Sequence, residues 1–194
     1  MMIKLFDEIP YLETEELLIR QMEESDADAL DKLRYDSDVK KYIPTFLYEY
    51  KYKDARTVIS KMEEDCFDKK EQIILGVYLK NEGQKFLGLA EFYNYSEENH
   101  DVSLGVRLLK EYWGRGIAKQ VINCMEDYLF NETDVEIIKA SILSANKASA
   151  KVAEKKGYTL VEQGILEDWG FEEPKVTDKW VLSKENYKSR TVCQ

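Results

Sequence analysis

A chain of 194 residues with 44% hydrophobic and 12% aromatic content is long enough to bury one substantial core, and its length suits a single domain, residues 1–194, better than two. The formal charge of −10 argues against nucleic acid as the main partner, because phosphate recognition rests on a basic footprint, and it would more naturally attract a cationic substrate. One histidine, His100, and three widely spaced cysteines, Cys66, Cys124 and Cys193, leave no multi-histidine metal site, no C-x-x-C pair and little room for a histidine-based triad.

The opening MMIKLFDEIPYLETEE turns acidic before an apolar signal core develops, and no later run approaches the roughly 18 apolar residues of a membrane span. The expectation is a cytoplasmic protein with free thiols, no membrane partner and no metal. No repeat or Pro-rich linker interrupts the chain.

In chain order, Leu17, Leu18 and Ile19 read as a first strand, and Ser25 as the cap of a helix over Asp26–Arg34 with Ala27, Leu30 and Leu33 on one face. Tyr42–Tyr52 is aromatic and irregular; Val58, Ile59 and Met62 then recur at helical spacing within Asp54–Asp65. Ile73–Leu79 and Phe86–Tyr95 form a predicted hairpin around Asn81-Glu82-Gly83. Val102–Leu108 alternates Val102, Leu104, Val106 and Leu108 against Ser103, Gly105 and Arg107. After the sequence LLKEYWGRGIAKQ, the four-residue step Ile117, Val121, Met125, Leu129 marks an amphipathic helix starting near Gly116. Glu136–Leu143 is a strand, Asn146 caps a helix running to Lys156 with Gly157 at its end, and strands near Tyr158–Leu166 and Thr177–Ser183 follow. This order predicts an α/β (α+β) fold: one mixed, largely antiparallel sheet with helices on both faces.

The most informative stretch is W-G-R-G-I-A. Gly114 and Gly116 remove side chains where backbone must approach a ligand, and the helix beginning there points free N–H groups and a positive dipole end outward. Arg115 and Lys119 add local positive charge. The turn therefore reads either as a phosphate cradle or as a bare tight turn. The dinucleotide pattern G-x-G-x-x-G lacks its third glycine, and no G-K-[ST] follows at nucleotide-triphosphate spacing.

Trp113-Gly114-Arg115-Gly116-Ile117-Ala118 resembles the [Q/R]-x-x-G-x-[G/A] motif of the GNAT acetyltransferases, with Gly116 and Ala118 in the last two defined positions. Trp113 stands where Gln or Arg is usual, a departure familiar from the ribosomal-protein N-terminal acetyltransferase (RimJ/RimL-like) branch, which often reads Y-W-G-x-G. Y-L-E-T-E-E-L-L-I-R, S-D-A-D-A-L and N-K-A-S-A-K-V-A-E-K-K-G-Y are similar to that branch too, so the resemblance spans residues 11–183.

The resemblance implies the GNAT fold and transfer of an acetyl group from acetyl-CoA to a primary amine, a protein N-terminus or a small amine. It implies that the strand ending at Leu108 and the strand Glu136–Leu143 splay apart around the pantetheine arm. Backbone near Leu108, Leu109 and Lys110 would bind that arm, and N–H groups of Trp113, Gly114, Arg115, Gly116, Ile117 and Ala118 the pyrophosphate. Asn146 matches the family asparagine that meets the pantetheine or a helix start, and is equally an N-cap in its own right. The expected reaction is direct attack of a neutral amine on the thioester, with a backbone N–H near Leu108 stabilising the tetrahedral intermediate. Many relatives protonate the thiolate with a tyrosine, where this chain has Ala153; Ser149 matches a serine given that role in the ribosomal-protein branch, and is otherwise a small helix residue.

For the base, Glu91 interrupts the apolar run F-L-G-L-A-E-F-Y-N-Y and would take the amine's proton through a water; the alternative is a solvent-facing residue at a strand end. The glutamate often found before glycine in the next strand is Ser103 here, and Glu167 and Asp168 are further base candidates. Tyr42–Tyr52 and Asp168–Pro174 would shape the acceptor pocket. Relatives often pair, so a homodimer is also expected. The substitutions at Ser103 and Ala153 keep open a second reading, a non-catalytic acyl-CoA-binding regulator.

Overall fold

Alternating apolar residues in the central strands build the structure from within. The computed structural model describes residues 2–81 and 83–191, so Glu82 of the hairpin turn and Cys193 lie outside the described residues. Eight strands form one sheet in the order β1-β2-β3-β4-β5-β6-β8-β7. They are β1 (Leu12–Glu13), β2 (Leu17–Arg20), β3 (Gln72–Leu79), β4 (Lys85–Ser96), β5 (Asp101–Leu108), β6 (Ile137–Leu143), β7 (Thr159–Glu167) and β8 (Lys175–Ser183). All neighbours run antiparallel except β5 and β6.

Six α-helices accompany the sheet among the described residues: α1 (Ala27–Tyr35), α2 (Ser37–Lys40), α3 (Ala55–Met62), α4 (Ile117–Glu132), α5 (Lys147–Lys155) and α6 (Lys184–Thr191). Asp54 caps α3 by accepting the Thr57 N–H at 2.9 Å, and the helix widens into a π-turn over Glu63–Phe67. Ser25 does not cap α1. The chain enters a 3-10 turn at Glu24–Asp26 that contains Ser25, and Asp26 accepts the Glu23 N–H at 2.9 Å instead.

The two faces of the sheet carry different chemistry. On one, Phe92 packs its ring against Tyr128 of α4, with centroids 6.0 Å apart. Period-two alternation then sends Glu91 of β4, and its cross-strand neighbours Gly105 and Arg107 of β5, to the opposite face. There Arg107 meets Glu49 from the Tyr48–Tyr50 turn.

The feature that positions the site is a broken ladder. β5 pairs with β6 only where Asp101–Ser103 face Ile137–Lys139. β5 stays on β4 as far as Leu108, and β6 stays on β8 over all seven of its residues, so beyond Ser103 the two strands separate. The helices α4 and α5 start on either side of this opening, and a buried Glu126–Lys156 ion pair of 2.6 Å links α4 to the end of α5. Among the described residues no helix is long and apolar enough to cross a membrane.

Candidate active site

The separation of β5 from β6 opens a cleft of about 1730 Å³ that runs from the glycine turn to the Tyr42–Tyr48 segment. At the glycine end, Gly114 and Gly116 both adopt positive φ, +73° and +78°, which an L-residue with a side chain takes only under strain. A Cβ added at either glycine would meet nothing within 4 Å, so their bareness serves backbone geometry and keeps space open to a ligand. Gly116 caps α4 with no side-chain hydrogen bond to the first turn. The leading amides of α4 therefore face outward with the positive end of the helix dipole. Trp113, Gly114, Gly116, Ile117, Ala118 and Lys119 line the cleft here. Arg115 does not; its exposed guanidinium lies 5.6 Å from the Tyr112 ring.

The backbone along β5 supplies a second set of donors. Leu108 faces Gly88, and the Leu109 N–H donates to the Leu87 carbonyl at 2.9 Å, which makes Leu108–Gly88 a non-hydrogen-bonded pair. By alternation, the peptide groups of Val106 and Leu108 point away from β4 and into the opening. The Leu108 carbonyl accepts the Trp113 indole N–H at 2.8 Å, leaving the Leu108 N–H and both groups of Val106. Leu109 and Lys110 do not line the cleft: the Leu109 amide is spent on Leu87, and the Lys110 ammonium binds Asp38 at 2.5 Å. Hydrogen bonds from Lys110 and Lys41 hold the Asp38 carboxyl down at about 2. Val106 is not distinguishable in the sequence from any other residue of an alternating strand; its place follows from register, which only the strand pairing reveals.

Across the opening, Asn146 accepts the Ser149 N–H at 3.1 Å through its side-chain oxygen, so it is the N-cap of α5 and also lines the cleft. Ser149 and Ala153, one turn apart, face the same space.

The far end is built around charge. Glu91 is 6% exposed, in the middle of β4 and not at a solvent-facing strand end. Arg107 grips it with two bonds, Nη1 to Oε1 at 2.6 Å and Nη2 to Oε2 at 3.1 Å. The same guanidinium donates to Glu49 through Nε at 2.7 Å and Nη2 at 3.0 Å. Burial opposes the arginine's charge, but the two carboxylates outweigh burial and push its pKa further up, so it stays a cation. Gly105 makes room for this arrangement, since a Cβ there would stand 2.6 Å from Glu91 Oε1. Tyr93, on the same face two residues on, is kept as a phenol by burial and by the negative charge of Glu91.

The other base candidates are committed elsewhere. Glu167 accepts from Lys179 at 2.5 Å, Thr177 at 2.7 Å, Ser141 at 3.2 Å and the Trp169 indole at 3.2 Å. Burial raises its pKa, but these donors outweigh it and leave the carboxyl below its usual range. Asp168 is exposed and accepts the Gly170 N–H at 2.8 Å. The two segments expected to shape the acceptor pocket dock on each other: Thr45 donates its N–H to the Trp169 carbonyl at 2.9 Å and its hydroxyl to the Gly170 carbonyl at 3.0 Å. With Tyr42, Phe46 and Trp169 they line this end.

The model of the acetyltransferase (GNAT) domain family matches residues 16–159. An uncharacterized N-acetyltransferase of Bacillus licheniformis, p20, is 26% identical over 89% of this chain and 94% of its own. Solved structures share the fold, two of them with CoA bound. The spermidine N-acetyltransferase of Vibrio cholerae, solved with CoA and spermine, superposes with a TM-score of 0.75 at 15% identity, covering 90% of this chain and 99% of its own. RimL, a ribosomal L7/L12 α-N-protein acetyltransferase solved with CoA, gives a TM-score of 0.75 at 15% identity over 90% of this chain and 98% of its own. With the family model covering most of the sheet, the broken β5–β6 ladder and the glycine turn, this chain belongs to the GNAT family and is an N-acetyltransferase.

Proposed function

We propose that the protein moves the acetyl group of acetyl-CoA onto a primary amine held at the Glu91 end of the cleft. The observation that carries this reading is the placement of three features along one opening. An uncapped helix start lies at one end, free β5 peptide groups in the middle and a buried carboxylate at the other end.

Acetyl-CoA brings an acetyl group already activated as a thioester. Gly114, Gly116, Ile117 and Ala118 suit its pyrophosphate, because bare backbone and a helix dipole offer an anion site despite the chain's net charge of −10. Val106 and Leu108 offer strand-like backbone partners to the pantetheine arm, with Asn146 facing them from α5. The Leu108 N–H is the donor nearest the end of this run for an oxygen that gains negative charge. Glu91 takes the proton from the attacking amine, through a water where the carboxylate does not reach it. Ser149 faces the same space from α5 and offers a hydroxyl to the departing sulfur.

Both a free α-amine and a polyamine fit a cleft whose acceptor end combines aromatic walls with a carboxylate. The two structural neighbours act on one of each kind, by their names. An α-amine is already partly neutral near pH 8, so it asks less of the base than lysine does. The test is acetyl transfer to spermidine and to a peptide with a free N-terminus, with wild type and Glu91→Gln. The expected result is turnover by the wild type and a loss of about 10²–10⁴ in kcat in the variant, the range of general-base contributions. A variant as fast as the wild type would remove Glu91 from the mechanism.

A further inference from the structure

Four of the five guanidinium N–H donors' directions at Arg107 are taken by two carboxylates, and all three side chains are buried: Glu49 is 1%, Arg107 5% and Glu91 6% exposed. Only Glu91 and Arg107 line the cleft; Glu49 lies behind them on the Tyr48–Tyr50 turn. A lone Glu91–Arg107 pair would be neutral and would offer a cation nothing. With Glu49 present the cluster carries one surplus negative charge, and of its two carboxylates only Glu91 reaches the cleft.

We infer that Glu49 and Arg107 are positioning residues for Glu91: Arg107 fixes the carboxylate's orientation, and Glu49 cancels the arginine's charge so that Glu91 faces the acceptor as a net anion. The inference rests on the proposed role of the Glu91 end as the amine site. Three observations make this more than a buried ion cluster holding a loop to the sheet. Arg107 binds both Glu91 oxygens, which fixes the plane of the carboxylate and leaves its remaining lone pairs for the cleft. The strand carries glycine at the one cross-strand position where a Cβ would push that carboxylate aside. The loop is also held independently, because Asp65 accepts hydrogen bonds from Tyr48 at 3.1 Å, Lys51 at 2.9 Å and Tyr52 at 2.7 Å. Fastening Tyr48–Tyr52 therefore does not require Glu49 to be charged.

Charge and orientation separate in the kinetics. Glu49→Gln keeps an acceptor for Arg107 but removes the surplus charge. It is expected to raise KM for spermidine and for a peptide α-amine by about tenfold or more, given the strength of unpaired charges inside a protein, with a smaller change in kcat. Glu49→Asp, which retains the charge, should recover most of the loss. The double variant Glu49→Gln/Arg107→Gln restores the surplus charge but removes the grip, so KM should return toward wild type while kcat falls. Acetyl-CoA affinity, measured by calorimetry on each variant, should stay within about twofold, because the phosphate end is untouched. Wild-type KM in Glu49→Gln with the cofactor still bound would overturn the inference and leave the acetyl-transfer reading standing. A wild-type enzyme that binds acetyl-CoA but acetylates neither amine overturns both.

Discussion

At the scale of single residues, the cleft combines bare glycines at a helix start with a buried carboxylate gripped by Arg107, and the two are built over very different distances along the chain. Gly114 and Gly116 act locally: their positive φ and the helix start beside them follow from neighbours in the chain. Glu49 and Arg107 are 58 positions apart, and Arg107 sits in an alternating strand on the face that composition alone would assign to solvent. Nothing in a strand pattern separates a buried, paired arginine from an exposed one. Glu91 stands out in the sequence as a charge within an apolar run, yet its orientation depends on a glycine one strand away. Gly105→Ala is accordingly expected to displace the carboxylate and lower kcat by about 10²-fold, the cost of an ångström-scale misplacement, while acetyl-CoA binding persists. Steady-state kinetics beside calorimetry would check this, and an unimpaired kcat would mean that the orientation of Glu91 is immaterial.

At the scale of elements, long periodic segments are legible in the sequence and short ones are not. The helix at Ile117, the strand Asp101–Leu108 and the Asn146 cap follow from spacing and from side-chain chemistry confined to one turn. The two-residue β1, the four-residue α2 and the polar α6 carry too little pattern to be seen, and they exist because the rest of the molecule packs around them. The Tyr42–Tyr52 segment looked irregular, and it is held by contacts invisible to periodicity. Tyr52, Lys51, Lys69 and Tyr48 hydrogen-bond the Asp65 carboxylate, in that order of effect, and hold it well below the usual range. A carboxyl depressed in the folded state adds stability above its unfolded pKa near ~4, and that stability disappears as pH falls through the folded value. Asp65→Asn should therefore lower Tm at pH 7, with the gap to wild type closing as pH falls below about 4. Thermal melts across that range test it, and a gap that widens in acid would contradict the account.

At the scale of the whole molecule, the decisive feature is that one sheet is continuous from β1 to β7 while one of its ladders is broken after three residue pairs. Strand order of this kind is not written in any local segment: the resemblance implies only that the strand ending at Leu108 parts from Glu136–Leu143, and the order itself comes from the pairings. The break sets free peptide groups opposite two helix starts, and on the proposed reading a chain with ten more negative than positive charges would meet its anionic cofactor through backbone. The most direct measurement is calorimetric titration of the protein with acetyl-CoA, repeated with Gly116→Trp. A tryptophan at a position of φ +78° would both strain the turn and fill the open space before α4. The account predicts micromolar binding by the wild type that the variant loses while keeping its fold by circular dichroism; equal binding by the two proteins would mean that the glycine turn is not the phosphate site.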